Sequence, residues 1–286
     1  MEPHVPSFVN LNRVFNVASA ALLLWFAGCD GNAPATSNGS TDTIEVVATV
    51  GMVADIVKIV GGDRVQVTQL MGPGVDPHLY KPTRDDARRL MTAELIVCSG
   101  LMLEGRMQDV LTDVGQKQPV VIYTDPLPHD QLLTPDDSSE HPDPHVWMDV
   151  AAWSTCISSI VDGLGRGDPE HKAEFQTRAD ALRKELATLH EYGLTCMASI
   201  PKERRILITS HDAFSYFGRA YGLEVVGVQG LSTESEAGLQ RINELVDLIV
   251  ERKVSAVFVE SSVPPKNIQA LIDGAKSRGH DVQVGG

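Results

Sequence analysis

Residues 169–198 read PEHKAEFQTRADALRKELATLHEYGLTCMA, and this stretch decides the fold. Asp168-Pro169 opens it, with proline in the first turn, where its missing N–H costs nothing. Phe175, Ala179, Leu182, Leu186 and Leu189 recur at helical spacing. The pattern predicts one helix of about 45 Å at about 1.5 Å per residue, ended by Pro201. Such a helix between two similar halves reads as a rigid connector.

On both sides of it, strand and helix patterns alternate. Before it come strand-like runs at residues 44–50, 65–70, 95–98 and 119–122. A helix runs from Gly51 to near Gly61, and another from Thr83 with Asp85 and Asp86 in its first turn. After it come strands at residues 205–209, 224–228, 256–259 and 281–284, with helices over 211–221, 236–252 and 264–278. Alternation of this kind predicts an α/β fold of two parallel-sheet lobes joined by one long rigid helix. The expected divisions are an N-terminal lobe over 44–168, the connecting helix over 169–200 and a C-terminal lobe over 201–286. The loop 125–144, dense in Pro, Asp, Ser and His, reads as a surface connection. The last strand has no helix after it, so the C-terminal lobe reads as truncated.

The 286 residues suit one large or two medium domains, and 43% hydrophobic content supports real cores. A net charge of −14 and a pI near 5.0 exclude nucleic acid as the expected partner, because phosphate binding needs clustered Lys and Arg. Solubility is the simplest reading of that acidity, and attraction of cations the less common one.

Residues 1–29 read as an export signal. Arg13 precedes an apolar run from Val14 to Phe26, and Ala27-Gly28-Cys29 closes it. The run is too short to span a bilayer comfortably. Small-small-Cys resembles a lipobox, with Phe26 where Leu is usual, and makes Cys29 the candidate lipid anchor. An uncleaved anchor or a simple secretory signal is the alternative. Residues 30–43, rich in Gly, Ser, Asn and Thr, read as a flexible tether. Cys98, Cys156 and Cys196 form no Cys-x-x-Cys pair and sit among apolar or small residues, so buried inert thiols are expected.

Three histidines stand at almost equal intervals: His78 in Asp76-Pro77-His78, His145 in Asp143-Pro144-His145, and His211 in Ser210-His211-Asp212. Neutral imidazole is a favoured ligand for zinc and related metals. His211 follows a strand and is expected to start a helix; open α/β sheets bind ligands at such strand ends. Two candidates come from the first half and one from the second, which suits a site between lobes. Asp76, Asp143 and Asp212 are each candidates to accept the second N–H of a ligating imidazole. Turn and helix-start roles are equally open to them. His129 and His141 read as exposed loop residues, and His171, His190 and His280 as helix or surface positions.

Several motifs in order resemble the zinc/manganese-binding proteins of bacterial ABC importers. They are Gly74-Val75-Asp76-Pro77-His78, Asp143-Pro144-His145-Val146-Trp147-Met148-Asp149, Thr209-Ser210-His211-Asp212-Ala213-Phe214-Ser215-Tyr216-Phe217 and Tyr221-Gly222-Leu223. Gln229-Gly230-Leu231-Ser232-Thr233-Glu234-Ser235-Glu236-Ala237-Gly238 and Val259-Glu260-Ser261-Ser262 complete the set. The resemblance covers residues 44–286. It implies a metal held in the interlobe cleft, with the family's first three ligands on His78, His145 and His211. The third position is often Glu in manganese-preferring relatives, so His211 moves the balance toward zinc. The family's fourth ligand, an Asp just after the last strand, would fall beyond Gly286. Asp281 does not match it, and Glu260 matches a non-ligand motif position.

The resemblance further implies an extracytoplasmic lipoprotein that carries Zn2+ or Mn2+ as a transported ligand to an ABC importer permease. It would be a monomer, attached to the membrane through its lipid, with no enzymatic activity. Two other readings remain. A zinc hydrolase would use an open coordination position, but the chain lacks His-Glu-x-x-His and any motif placing a general base by the metal. A surface adhesin with a structural metal would bind a host surface without metal, and the sequence offers no exposed aromatic cluster for it.

Overall fold

The computed structural model describes residues 43–134 and 141–285. The export signal, Cys29 and the tether up to residue 42 lie outside the described residues.

The first lobe contains β1 (Ile44–Ala48), α1 (Gly51–Gly61), β2 (Val65–Gln69), α2 (Arg84–Thr92), β3 (Leu95–Cys98), α3 (Gln108–Gly115) and β4 (Val120–Ile122). Its four strands lie in the order β2-β1-β3-β4, all parallel. β3 is buried at every position, as central strands of helix-covered parallel sheets are. α2 starts where its acids predict: Thr83 accepts the Asp86 amide and the Asp86 carboxylate accepts the Thr83 amide, a reciprocal cap. α4 (Val150–Thr155) and α5 (Ile157–Gly167) follow the long loop and pack on the same body.

α6 (Lys172–Ala198) is the long connecting helix, entered through a 3-10 turn at Pro169–His171. Its apolar stripe is buried only in the first half. Phe175 and Ala179 are fully enclosed and Leu182 nearly so, against α1, α4 and α5. Leu186 is half-buried, and Leu189 stands 45% exposed. Over the second half the main neighbour is α7 (Ser215–Tyr221), whose two turns cover little of it.

The second lobe holds β5 (Ile206–His211), α7, β6 (Glu224–Gln229), α8 (Leu239–Arg252), β7 (Ala256–Phe258), α9 (Lys266–Ser277) and β8 (Gln283–Gly285). Its sheet runs β6-β5-β7-β8, again parallel. Ile208, Val228, Val257 and the inner faces of α8 and α9 form a separate core. In both sheets the chain reverses its lateral direction between the two central strands, which opens a crevice at their C-terminal ends.

Most strand and helix ends shift by one or two residues from the sequence reading, and two larger differences bear on the site. His211 does not start a helix. It is the last residue of β5, paired with Gln229, and the ladder continues as the Asp212 amide reaches the Gln229 carbonyl; α7 begins at Ser215. α8 begins at Leu239 rather than Glu236, because Gly238 has extended backbone. Residues 230–238 are therefore an irregular loop at the mouth of the second sheet.

Candidate metal centre

Each candidate histidine is set by a different local device. His78 follows the Gly72-Pro73-Gly74 turn after β2, where Gly74 holds a left-handed φ of 78° that favours glycine. The His78 amide then donates to Asp76 Oδ1 at 2.9 Å, closing the Asp-Pro-His turn. His145 ends the long loop, and its amide donates to Asp143 Oδ1 at 2.9 Å in the same way. The repeated tripeptide is thus one structural device used twice. His211 is held by the β5–β6 ladder, and its amide donates to Glu260 Oε1, just beyond β7, at 3.0 Å.

The three side chains meet between the lobes, on a cavity of about 410 Å³ also lined by Met52, Trp147 and Glu260. All three imidazoles are buried. His145 Nε2 lies 3.2 Å from His78 Nε2 and 3.3 Å from His211 Nε2. Among the described residues this is the one group of His, Cys, Asp or Glu donors converging closely enough to hold a metal. A tetrahedral zinc with bonds of about 2.0–2.1 Å needs donor atoms about 3.3–3.4 Å apart. The observed spacings fit that requirement.

For His145 the second ring nitrogen shows why the Nε2 lone pair points inward. His145 Nδ1 lies 2.7 Å from Asp143 Oδ1, so Nδ1 carries the proton and Nε2 is a bare acceptor. His211 Nδ1 lies 2.6 Å from Glu260 Oε2, a close contact that is not a hydrogen bond. Glu260 therefore grips the far side of the ring from Nε2, in agreement with its match to a non-ligand position. Of the aspartates, only Asp143 meets an imidazole. Asp76 closes the turn at His78, and Asp212 accepts from the Ser215 hydroxyl at the start of α7.

The three Nε2 atoms can each give a lone pair to a cation held among them. The surroundings favour one: no Lys or Arg among the described residues pairs with Asp76, Asp143 or Glu260, and Asp143 Oδ2 is buried without a partner. Burial, reinforced by the neighbouring His145, pushes the His78 pKa down to about 4 despite the opposing charge of Asp76. A ring held neutral in this way is ready to bind metal.

The other candidates stay outside. His129 and His141 are exposed. His171 bonds to Asp168, His190 to the Tyr221 hydroxyl and His280 to the Val254 carbonyl. The thiols of Cys98, Cys156 and Cys196 are free, and none belongs to the converging group. Burial pushes the Cys98 thiol far up and the Cys156 thiol to about 12, while Cys196 is only half-buried, short of the expected enclosure. Sequence reasoning did not single out Glu260 as a partner of His211. The signal available was its place just after a central strand, at the same crevice as His211.

Known proteins resemble the chain along most of its length. Residues 46–284 match the family model for the periplasmic component A of the zinc-uptake complex. The chain is 40% identical over 268 residues to the manganese-binding lipoprotein MntA of Bacillus subtilis, covering 94% of this chain and 87% of that one. It is 42% identical over 270 residues to the zinc-binding protein TroA of Treponema pallidum, covering 94% and 86%. The solved TroA structure superposes with a TM-score of 0.82 at 43% identity, over 85% of this chain and 87% of that one. The laminin-binding protein of Streptococcus agalactiae, described as bifunctional with adhesin and metal-transporting activity, superposes at 0.73 with 28% identity, over 85% and 88%.

Proposed function

The chain belongs to the zinc-uptake component A family, and on that premise we propose that it captures a divalent transition metal outside the cytoplasm and hands it to an ABC permease. The convergence of three Nε2 atoms from two lobes is the observation that carries this reading. Zinc is the favoured cargo, because three neutral imidazoles without a carboxylate among them suit zinc better than harder manganese. His78, His145 and His211 are the ligands, and an oxygen donor takes the remaining position. Asp143 holds the second nitrogen of His145 and makes that ring a better donor, and Glu260 fixes the His211 backbone amide beside the centre.

The protein acts as a carrier, without catalysis. Placing the metal between two separate cores means that a small shift of one lobe against the other takes His211 away from His78 and His145. The protein works as a monomer, kept at the membrane by a lipid on Cys29. Adhesion to a host surface is the second reading, favoured by the likeness to the laminin-binding protein.

Isothermal titration of metal-free protein with zinc and with manganese tests the reading. One tight zinc site, with weaker manganese binding, is expected. Absence of stoichiometric binding of either metal contradicts it.

A further inference from the structure

Asp76 faces two ways. Its Oδ1 accepts the His78 amide within the first lobe, at 2.9 Å. Its Oδ2 accepts the Thr233 hydroxyl from the second lobe, at 2.5 Å. Thr233 is buried in the irregular loop 230–238 between β6 and α8. The base of that loop is fixed beside the other side of the metal centre: Gln229, the partner of His211 in the ladder, donates its side-chain amide to the Ser235 carbonyl at 2.9 Å. A continuous run of bonds therefore joins His211, Gln229, the loop, Thr233, Asp76 and His78.

The next residue adds a second, weaker contact. Arg106 Nε donates to Glu234 Oε1 at 3.0 Å, with both side chains exposed. Exposed ion pairs of this kind contribute little. The hydroxyl on Asp76 differs, because it is shielded and its acceptor is charged. Among the described residues, Thr233 is thus the stronger grip of this loop on the first lobe.

We propose that Thr233 is a positioning residue for the metal. Acting through Asp76, it fixes where the His78 imidazole stands, so a loop of the second lobe holds a ligand of the first in register with His145 and His211. When the hydroxyl leaves Asp76, the His78 turn loosens and the metal is released faster. This rests on the metal-capture reading above.

The test compares Thr233→Ala, Thr233→Ser and Glu234→Gln with the wild type by two measurements. Amide hydrogen exchange in the peptide covering residues 76–80 is followed in metal-free protein. Zinc release is followed by capture with a chelator. Loss of a hydrogen bond to a charged acceptor predicts about tenfold faster exchange and about tenfold faster zinc release in Thr233→Ala. Thr233→Ser restores both, and Glu234→Gln resembles the wild type in both. Wild-type exchange in Thr233→Ala, or a Thr233→Ser variant as fast as Thr233→Ala, overturns the proposal. A wild type that binds no zinc defeats the metal reading, while the exchange comparison still decides whether Thr233 holds His78.

Discussion

His145 stands on Asp143: the ring Nδ1 and the backbone amide of the histidine meet the same carboxylate oxygen, at 2.7 and 2.9 Å. One oxygen therefore sets both the turn and the tautomer. Asp143→Asn keeps an acceptor for the turn and removes the charge. Outer-shell partners of this kind are worth about 10–100-fold in metal affinity. Zinc affinity of Asp143→Asn by chelator competition should fall by that order, with little change in melting temperature. Wild-type affinity would show that the carboxylate charge does not matter.

The metal-free protein should lose stability as pH falls from about 6.5 to about 4. His78 is held neutral when folded, with a pKa near 4, and takes a proton at its ordinary value when unfolded. The unfolded state then binds more protons across that window, so stability present above it is lost on acidification. A shift from 6.5 to about 4 corresponds to about 3 kcal/mol at the limit. His78→Gln should show a shallower fall in melting temperature between pH 6.5 and 4 than the wild type. Equal slopes would contradict the burial of this ring. The same shift moves the share of His78 in any acid loss of metal to pH below the ordinary histidine range.

Glu104 gives the opposite sign. Its buried carboxyl accepts from the Thr49 hydroxyl at 2.5 Å and from the Ser99 amide at 2.7 Å, yet burial still raises its pKa. A raised folded pKa means that its contribution is fully present below the unfolded value and is lost as pH rises through the folded one. The stability of the wild type relative to Glu104→Gln should therefore decline as pH is raised from 4.5. Denaturant unfolding at several pH values checks this, and a difference that grows with pH would contradict it.

The connecting helix should be sensitive at one end only. Phe175 is fully enclosed, so Phe175→Ala should cost about 3–5 kcal/mol. Leu189 is 45% exposed, and Leu189→Ala should stay within about 0.5 kcal/mol of the wild type. Urea unfolding measures both. Similar losses at the two positions would mean that the stripe is buried along its whole length.

The helix also shows where sequence reading stops. Spacing alone located Phe175 and Leu189 on one face, but burial depends on what covers that face, and α7 is short. Likewise the Asp-Pro-His repeat was legible because a turn device is local. The contacts that join His211 to Glu260 and Asp76 to Thr233 were not, because they connect residues 49 and 157 positions apart. The helices α3, α4 and α5 escaped notice as well: Gly163 and Gly165 interrupt the pattern in α5, where a Cβ at Gly163 would meet the Val121 side chain at 2.7 Å.

The central claim is that three imidazoles from two lobes hold the metal. X-ray absorption at the zinc edge of zinc-loaded protein tests it most directly. The account predicts three imidazole nitrogens at about 2.0–2.1 Å, with one of them lost in His211→Ala. Sulfur scattering at about 2.3 Å, or a shell left unchanged by His211→Ala, would contradict it.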